Sequence, residues 1–193
     1  MPASRSKSRT DAERNRARVL EVARELFAEL GDQVQMAEVA KAADVGIGTV
    51  YRHFPTRQAL VEAAAQHRFA EILDFARERC LAAPDPGVGL DLLLTGIGEV
   101  LAKDRGLSGA IESAMGSAEP SGDSRTALEG LAGTLLDRGR AAGSVRDDAT
   151  VTDVYMIVCG LAAVIRTGSG DWRRFVRLAL DALRPGRPSS PTG

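Results

Sequence analysis

The sequence predicts an all-α chain of about nine helices, with a short three-helix helix-turn-helix head and a larger helical body. Three observations predict it. Apolar residues recur at helical period in every long segment, and no stretch sustains the two-residue alternation of a strand. Breakers fall between those segments, at Gly31, at Pro55, at Pro84 and Pro86, across 116–123, and at Gly168-Ser169-Gly170. Finally, Ala40-Lys41-Ala42-Ala43, the bend Asp44-Val45-Gly46 and a second short segment have helix-turn-helix spacing.

Each element has its own signal. Thr10-Asp11-Ala12-Glu13 reads as a capping box, followed by the stripe Val19, Val22, Ala23, Leu26, Phe27 and Leu30, and Gly31 closes the helix. Short helices are expected over about 36–43 and 47–54. Pro55 stops the second of these, and Thr56 caps a long helix running to about residue 81. Beyond the two prolines, Leu90, Leu93, Leu94, Ile97, Val100 and Leu101 mark a helix, and Leu107, Ile111 and Met115 mark a short one. Leu128, Leu131 and Leu135 lie on a helix ending near Gly143. Val151, Val154, Tyr155, Val158, Leu161 and Ile165 lie on the next, capped by Asp147 or Asp148. Trp172, Phe175, Val176, Ala179 and Leu183 mark the last. The expected organisation is a disordered basic arm at 1–9, a helix-turn-helix domain at 10–55, a body at 56–184, and a disordered Pro/Ser/Gly-rich tail at 185–193.

Composition narrows the chemistry. A chain of 193 residues buries a core without disulfide or metal staples. Cys80 and Cys159 stand far apart with no CxxC and only two histidines in the chain, so neither a zinc site nor a disulfide framework is expected, and a reducing cytoplasm is the default. No apolar run reaches the roughly 18 residues of a membrane span, and the Met1 region has no apolar signal core. The scarcity of Lys among the basic residues, with many Ala and Gly, points to the coding bias of a G+C-rich bacterial genome. There is no GxSxG, HExxH or metal-ligand spacing, so catalysis, a metal and a cofactor are all unsupported. The net charge of −1 gives no global sign of nucleic-acid binding. The first eighteen residues nevertheless carry Arg5, Lys7, Arg9, Arg14, Arg16 and Arg18 against Asp11 and Glu13, a local basic surplus that suits either a solvated tail or a phosphate contact.

The segment from Asp44 to Leu60, DVGIGTVYRHFPTRQAL, carries the chemistry. Small Ala40 and Ala43 let two short helices cross closely, and Val39, Val45 and Val50 seal a miniature core. Asp44 falls where a left-handed residue is needed. The second helix is about 12 Å long, close to the width of a DNA major groove. Gly46, Ile47, Gly48, Thr49, Arg52 and His53 would form its outer face. Thr49 suits a base or a thymine methyl, Arg52 a guanine edge or phosphate, and Tyr51 and His53 phosphates. Arg57 lies in the first turn of the following helix, another place for an anion. Tyr51 and Phe54 suit a core equally in principle, and Phe54 fits that reading better.

The stretch GIGTVYRHFPTRQAL closely resembles the recognition helix and following helix start of TetR-family transcriptional repressors, and ARVLEVARELFAELG and MAEVAKAADV resemble that family's first two helices. The resemblance covers about 14–60. It implies a homodimer with a three-helix DNA-binding head on an all-helical, ligand-binding body. It also implies a cytoplasmic, nucleoid-associated repressor that binds a palindromic double-stranded DNA operator and is released by a small effector. Carried across residue by residue, it places Ile47, Gly48, Thr49, Tyr51 and His53 against DNA and Arg57 against phosphate. Arg5, Lys7 and Arg9 would reach toward the minor groove. Three positions depart from the pattern. Gln35 and Gly46 stand where hydroxyl caps are usual, and Asp44 stands for the usual turn glycine.

For the body, CGLAAVIRTGSGDWRRFVRLALDAL resembles the SbtR-like subgroup of that family. A two-fold assembly needs a self-complementary face, and the last two helices are the candidates, with Gly160 and Ala163 for close approach and Val154, Val158, Leu161, Phe175, Val176 and Ala179 in the seam. The resemblance implies a pocket among the middle helices. Phe75, Leu94, Ile97, Ile111, Met115, Leu135, Tyr155 and Cys159 are its candidate lining, and ordinary core is the competing reading for each. Nothing calls for a charged ligand, so the effector is expected to be mostly apolar. An enzyme, and an architectural helical protein that has lost DNA binding, are the alternatives.

Overall fold

The computed structural model describes residues 3–186, with side chains described from Asp11 onward. The fold is all-α. Among the described residues there are nine α-helices: α1 (Ala3–Leu30), α2 (Met36–Ala42), α3 (Ile47–His53), α4 (Arg57–Phe75), α5 (Pro86–Lys103), α6 (Arg105–Met115), α7 (Gly122–Ala141), α8 (Val151–Thr167) and α9 (Trp172–Leu183). Two tighter or looser turns extend the set, a 3-10 turn at Gly31–Gln33 and a π-helical turn at Ala76–Cys80 that continues α4. Contacts divide the chain into two compact units. One takes the described residues up to Arg68 together with Lys103–Pro120, and the other takes Phe69–Ala102 together with the described residues from Ser121.

In the first unit, Val19, Ala23 and Phe27 lie four residues apart on α1, and all three are fully buried. Each of the larger two contributes about 1.5–3 kcal/mol by leaving water. α1 starts earlier than its capping-box signal suggests. Residues 3–9, expected to be a disordered arm, contain no Gly or Pro and continue the helix, so Thr10 lies within α1 and not at its start. The side chains of Arg5, Lys7 and Arg9, and the tail at 187–193, lie outside the described residues. Val39, Val50 and Phe54 are buried at 2% exposure or less and close the small core between α1, α2 and α3. Gly31, at φ 58, turns the chain out of α1 into the 3-10 turn. There the backbone of α6 comes close, with Gly106 O 3.5 Å from where a Gly31 side chain would begin. Gly106 is tighter still. A Cβ on it would fall 2.5 Å from Ala28 O and closer to Phe27 O, so only glycine lets α6 lie against the end of α1.

The second unit is organised by aromatic rings set on glycines. The Phe75 ring covers Gly96 of α5, Trp172 covers Gly98 of α5, and Phe175 covers Gly160 of α8. Gly89 admits the π-helical turn, its missing Cβ lying 2.8 Å from Cys80 O. Arg138 of α7 binds the last carbonyls of that turn and its exit, donating to Leu81 O at 2.5 Å and Ala83 O at 3.0 Å. α8 is capped by Thr150, not by Asp147 or Asp148. Its hydroxyl accepts from Asp153 N at 3.3 Å, while Asp153 accepts from Thr150 N at 2.7 Å. Cys80 is wholly buried, and that burial pushes its thiol up to about 11. At pH 8 it therefore holds about a hundredfold less thiolate than an ordinary cysteine. Titration with a thiol-reactive disulfide reagent is expected to leave Cys80 unmodified in the native protein and to reach it only in denaturant. Prompt native modification of Cys80 would refute its placement beneath Gly89.

Candidate nucleic-acid interface

The turn between α2 and α3 is built from the sequence signals that suggested it. Asp44 adopts φ 51, the left-handed conformation, and Val45 N returns to Ala40 O at 3.0 Å. Arg18 of α1 secures the bend. Its Nε donates to Ala43 O at 2.6 Å, and its Nη2 donates to Ala43 O and, at 3.0 Å, to Asp44 O. Gln35 opens α2 in a capping box with Glu38, its backbone N donating to Glu38 Oε2 at 2.9 Å. Gly46 caps α3 with no side chain at all.

α3 presents two unlike sides. Val50 and the following Phe54 point into the head, whereas Ile47 is 43% exposed and Tyr51 48% exposed. Gly48 and Arg52 are exposed as well, and Thr49 and His53 are half-buried. Beyond both Gly46 and Gly48 there is open space where a Cβ would project. The outer face thus gathers Ile47, Gly48, Thr49, Tyr51 and Arg52 on one short helix, with His53 at its end. Tyr51, which the sequence left open as a core residue, is outside.

Arg57, expected against phosphate, also has partners within the head. Its Nη2 donates to Asp32 O and to Asp32 Oδ1, both at 2.9 Å, and its Nε donates to Val34 O at 3.1 Å. The guanidinium also lies 5.4 Å over the Phe27 ring, a cation–π contact. Asp32 also accepts from Ser113 Oγ of α6 at 3.1 Å. Arg57 therefore ties the 3-10 turn to α4, and sequence reasoning missed this because its partners lie more than twenty residues away.

Sequence reasoning also missed a buried ionic cluster in the same unit. Arg24 of α1, Arg68 of α4 and Asp104 at the start of α6 are all buried. Arg24 lies 3.8 Å from Asp104, and its Nη1 meets His67 Nδ1 at 3.0 Å. A guanidinium only donates, so His67 accepts there and carries its proton on Nε2. Arg68 donates to Ser108 Oγ at 2.9 Å. Burial lowers the Arg68 pKa to about 10, Asp104 opposes that shift, and Arg24 adds to it. The group remains charged at neutral pH.

The eight residues expected around a ligand fall in both units. Ile111 is fully buried in the first, and Met115 is exposed at the end of α6. In the second, Leu94 and Leu135 are fully buried, Ile97 is nearly so, and the Phe75 ring is spent on Gly96. Tyr155 lies under the Arg125 guanidinium at 5.2 Å, and Cys159 is half-buried. A groove of about 430 Å³ lies elsewhere in this unit, bordered by Arg146, Asp153, Met156, Ile157, Phe175 and Leu183, and includes none of the eight. Of the expected seam, Val154, Leu161 and Val176 are buried within the chain itself. Met156 and Leu178, each more than half exposed, are the large apolar groups left outside on α8 and α9. No group of three or more His, Cys, Asp or Glu among the described residues could hold a metal ion, and no described helix is long and apolar enough to cross a membrane.

A helix-turn-helix head with an exposed second helix, followed by an all-helical body, defines a class of regulatory proteins. Residues 19–64 match the model of bacterial regulatory proteins of the tetR family, and residues 85–185 match that of the C-terminal domain of SbtR-like transcriptional regulators. Among solved structures, a TetR transcription regulatory protein from Mycobacterium vanbaalenii is 39% identical, covering 91% of this chain and 98% of its own, with a TM-score of 0.66. A TetR transcriptional regulator from Streptomyces coelicolor is 30% identical over 89% of this chain and 99% of its own, also at 0.66. An HTH-type transcriptional regulator of Staphylococcus aureus is 34% identical over 85 residues, 40% of this chain and 44% of that protein. The chain thus spans less than half the length of the curated relatives it matches. The chain belongs to the TetR family.

Proposed function

We propose that the protein is a ligand-responsive transcriptional repressor that binds a palindromic DNA operator as a homodimer and is released by a small, mostly apolar effector. The observation that carries this reading is the two-sided α3, which buries Val50 and leaves Ile47, Tyr51 and Arg52 outside on a helix as long as a major groove is wide. On this reading Ile47, Gly48, Thr49 and Arg52 face base edges, and Tyr51 and His53 face phosphates. Arg57 holds the turn beside them in shape. The homodimer forms through α8 and α9, whose exposed Met156 and Leu178 give a second copy apolar surface to cover. The effector binds in the second unit, near Phe75, Leu94, Ile97, Leu135, Tyr155 and Cys159. Ile111 and Met115 of α6 belong to the response in the first unit. Release requires an effector that binds the DNA-incompetent state more tightly than the competent one.

Fluorescence anisotropy tests this, with the full chain titrated against the DNA upstream of its own gene at two salt concentrations in the presence of random competitor. Binding should resist competitor, weaken steeply with salt, and leave a footprint of two half-sites related by a dyad. Arg52→Ala should lower operator affinity at least about tenfold, the cost of a good base or phosphate contact, without moving the melting temperature. Affinity equal to that for random DNA, here and in a genome-wide selection, would overturn the proposal.

A further inference from the structure

We propose that Ile47 reads a thymine, by packing its side chain on the C5-methyl group in the major groove. This inference rests on the DNA-binding reading of α3 and adds a base preference to it.

Ile47 is the first residue of α3 and a branched aliphatic side chain left 43% exposed, although Val50 and Phe54 close by are fully or almost fully buried. The head therefore has a core that Ile47 does not join. Tyr51, one helical turn further on, is 48% exposed, so positions 47 and 51 form a short apolar strip along one face. The surroundings are polar and carry both signs of charge, with Asp44 exposed at the bend and Glu38 on α2. Arg52 is exposed on the same helix, and Lys41 is exposed on α2. A protein partner would be expected to offer such a strip an apolar surface without phosphate-like charge. A DNA groove offers anionic walls for the cations and, on its floor, one apolar group, the thymine methyl.

The backbone around Ile47 suits that depth. Gly46 and Gly48 flank it, and both have open space where a Cβ would project. Neither residue flanking Ile47 carries a side chain to hold the start of the helix away from the base edges, so an aliphatic chain of Ile47's length can reach the groove floor. Thr49 and Arg52 supply the hydrogen-bonding groups on either side, and the methyl contact is the part of the readout that needs no polar atom.

The test removes the methyl and nothing else. An operator is first selected from random-sequence duplexes with the full chain. Each thymine in it is then replaced singly by deoxyuridine, and affinities are measured for the wild type and for Ile47→Ala. One position in each half-site should lose about fourfold with the wild type, the worth of one buried methyl. The same position should lose nothing with Ile47→Ala, whose affinity for the parent duplex is already reduced by about sixteenfold, because both subunits of the dimer lose the side chain. Deoxyuridine duplexes that all bind the wild type like the parent would overturn the inference while leaving the DNA-binding reading intact. So would a loss that persists unchanged in Ile47→Ala. Failure to select any sequence above random DNA would overturn the DNA-binding reading itself, and this inference with it.

Discussion

Gly106→Ala should destabilise the protein by about 3 kcal/mol, the upper part of the range for overpacking a close contact. The added methyl has no flexible side chain to displace. It meets the carbonyls of Phe27 and Ala28, which are held in the last turns of α1. Either α6 withdraws or the end of α1 bends, and both disturb Phe27, Leu107 and Ile111, which are fully buried in this unit. Gly109, three residues along the same helix, is the control, because a methyl there meets nothing within 4 Å. Gly109→Ala should stabilise by up to about 1 kcal/mol through helix propensity and a less flexible unfolded chain. Urea unfolding of the two variants measures the contrast. Shifts of the same sign would mean that α6 does not lie against α1 as described.

The second large effect concerns the buried ions. Asp104→Asn keeps the shape of the side chain and removes the one carboxylate that, among the described residues, is buried with Arg24 and Arg68. Breaking a buried ion pair in this way costs about 3–5 kcal/mol, because the surviving charge keeps its desolvation penalty and loses its compensation. Arg68 has the most to lose. It is already lowered to about 10 by burial, with Asp104 working against that shift. Combining Asp104→Asn with Arg68→Met should recover part of the loss, since methionine fills comparable space without a charge. Chemical denaturation of the wild type, the single variants and the double variant closes the cycle. If the two losses simply add, Asp104 and Arg68 are not coupled and the cluster is a set of separate contacts.

Much of the head was legible in the sequence because its signals are local. The spacing of α2, bend and α3, the left-handed Asp44, the cap at Thr56 and the inward Val50 and Phe54 all depend on residues within a few positions of one another. Local signals also misled. Thr10-Asp-Ala-Glu13 has the composition of a capping box but sits inside a helix that nothing upstream interrupts. Asp147 and Asp148 were reasonable caps for α8, yet Thr150 is the residue with the extended backbone that a cap requires. Non-local facts were out of reach. Arg57 reads as an exposed cation at a helix start, and only the fold brings Asp32 and Val34 to it. Gly106 reads as an ordinary helix glycine until the carbonyls of α1 are seen beneath it. In the body, periodicity identifies which residues are apolar but not which of them the chain buries by itself, as it does Val154, Leu161 and Val176.

The first compact unit is assembled from two separated pieces of chain, and that has a consequence during synthesis. Its first piece ends at Arg68, and its second ends at Pro120. A ribosome adding about 5–20 residues per second reaches the end of the second piece several seconds after the first. During that interval the emerging helix-turn-helix has neither Asp104 beside its buried arginines nor α6 against α1. A nascent chain paused after α4 is therefore an incomplete head, exposed to proteases and chaperones. Codon choice or a stalled ribosome between the two pieces would lengthen that exposure without altering a single residue of the finished protein.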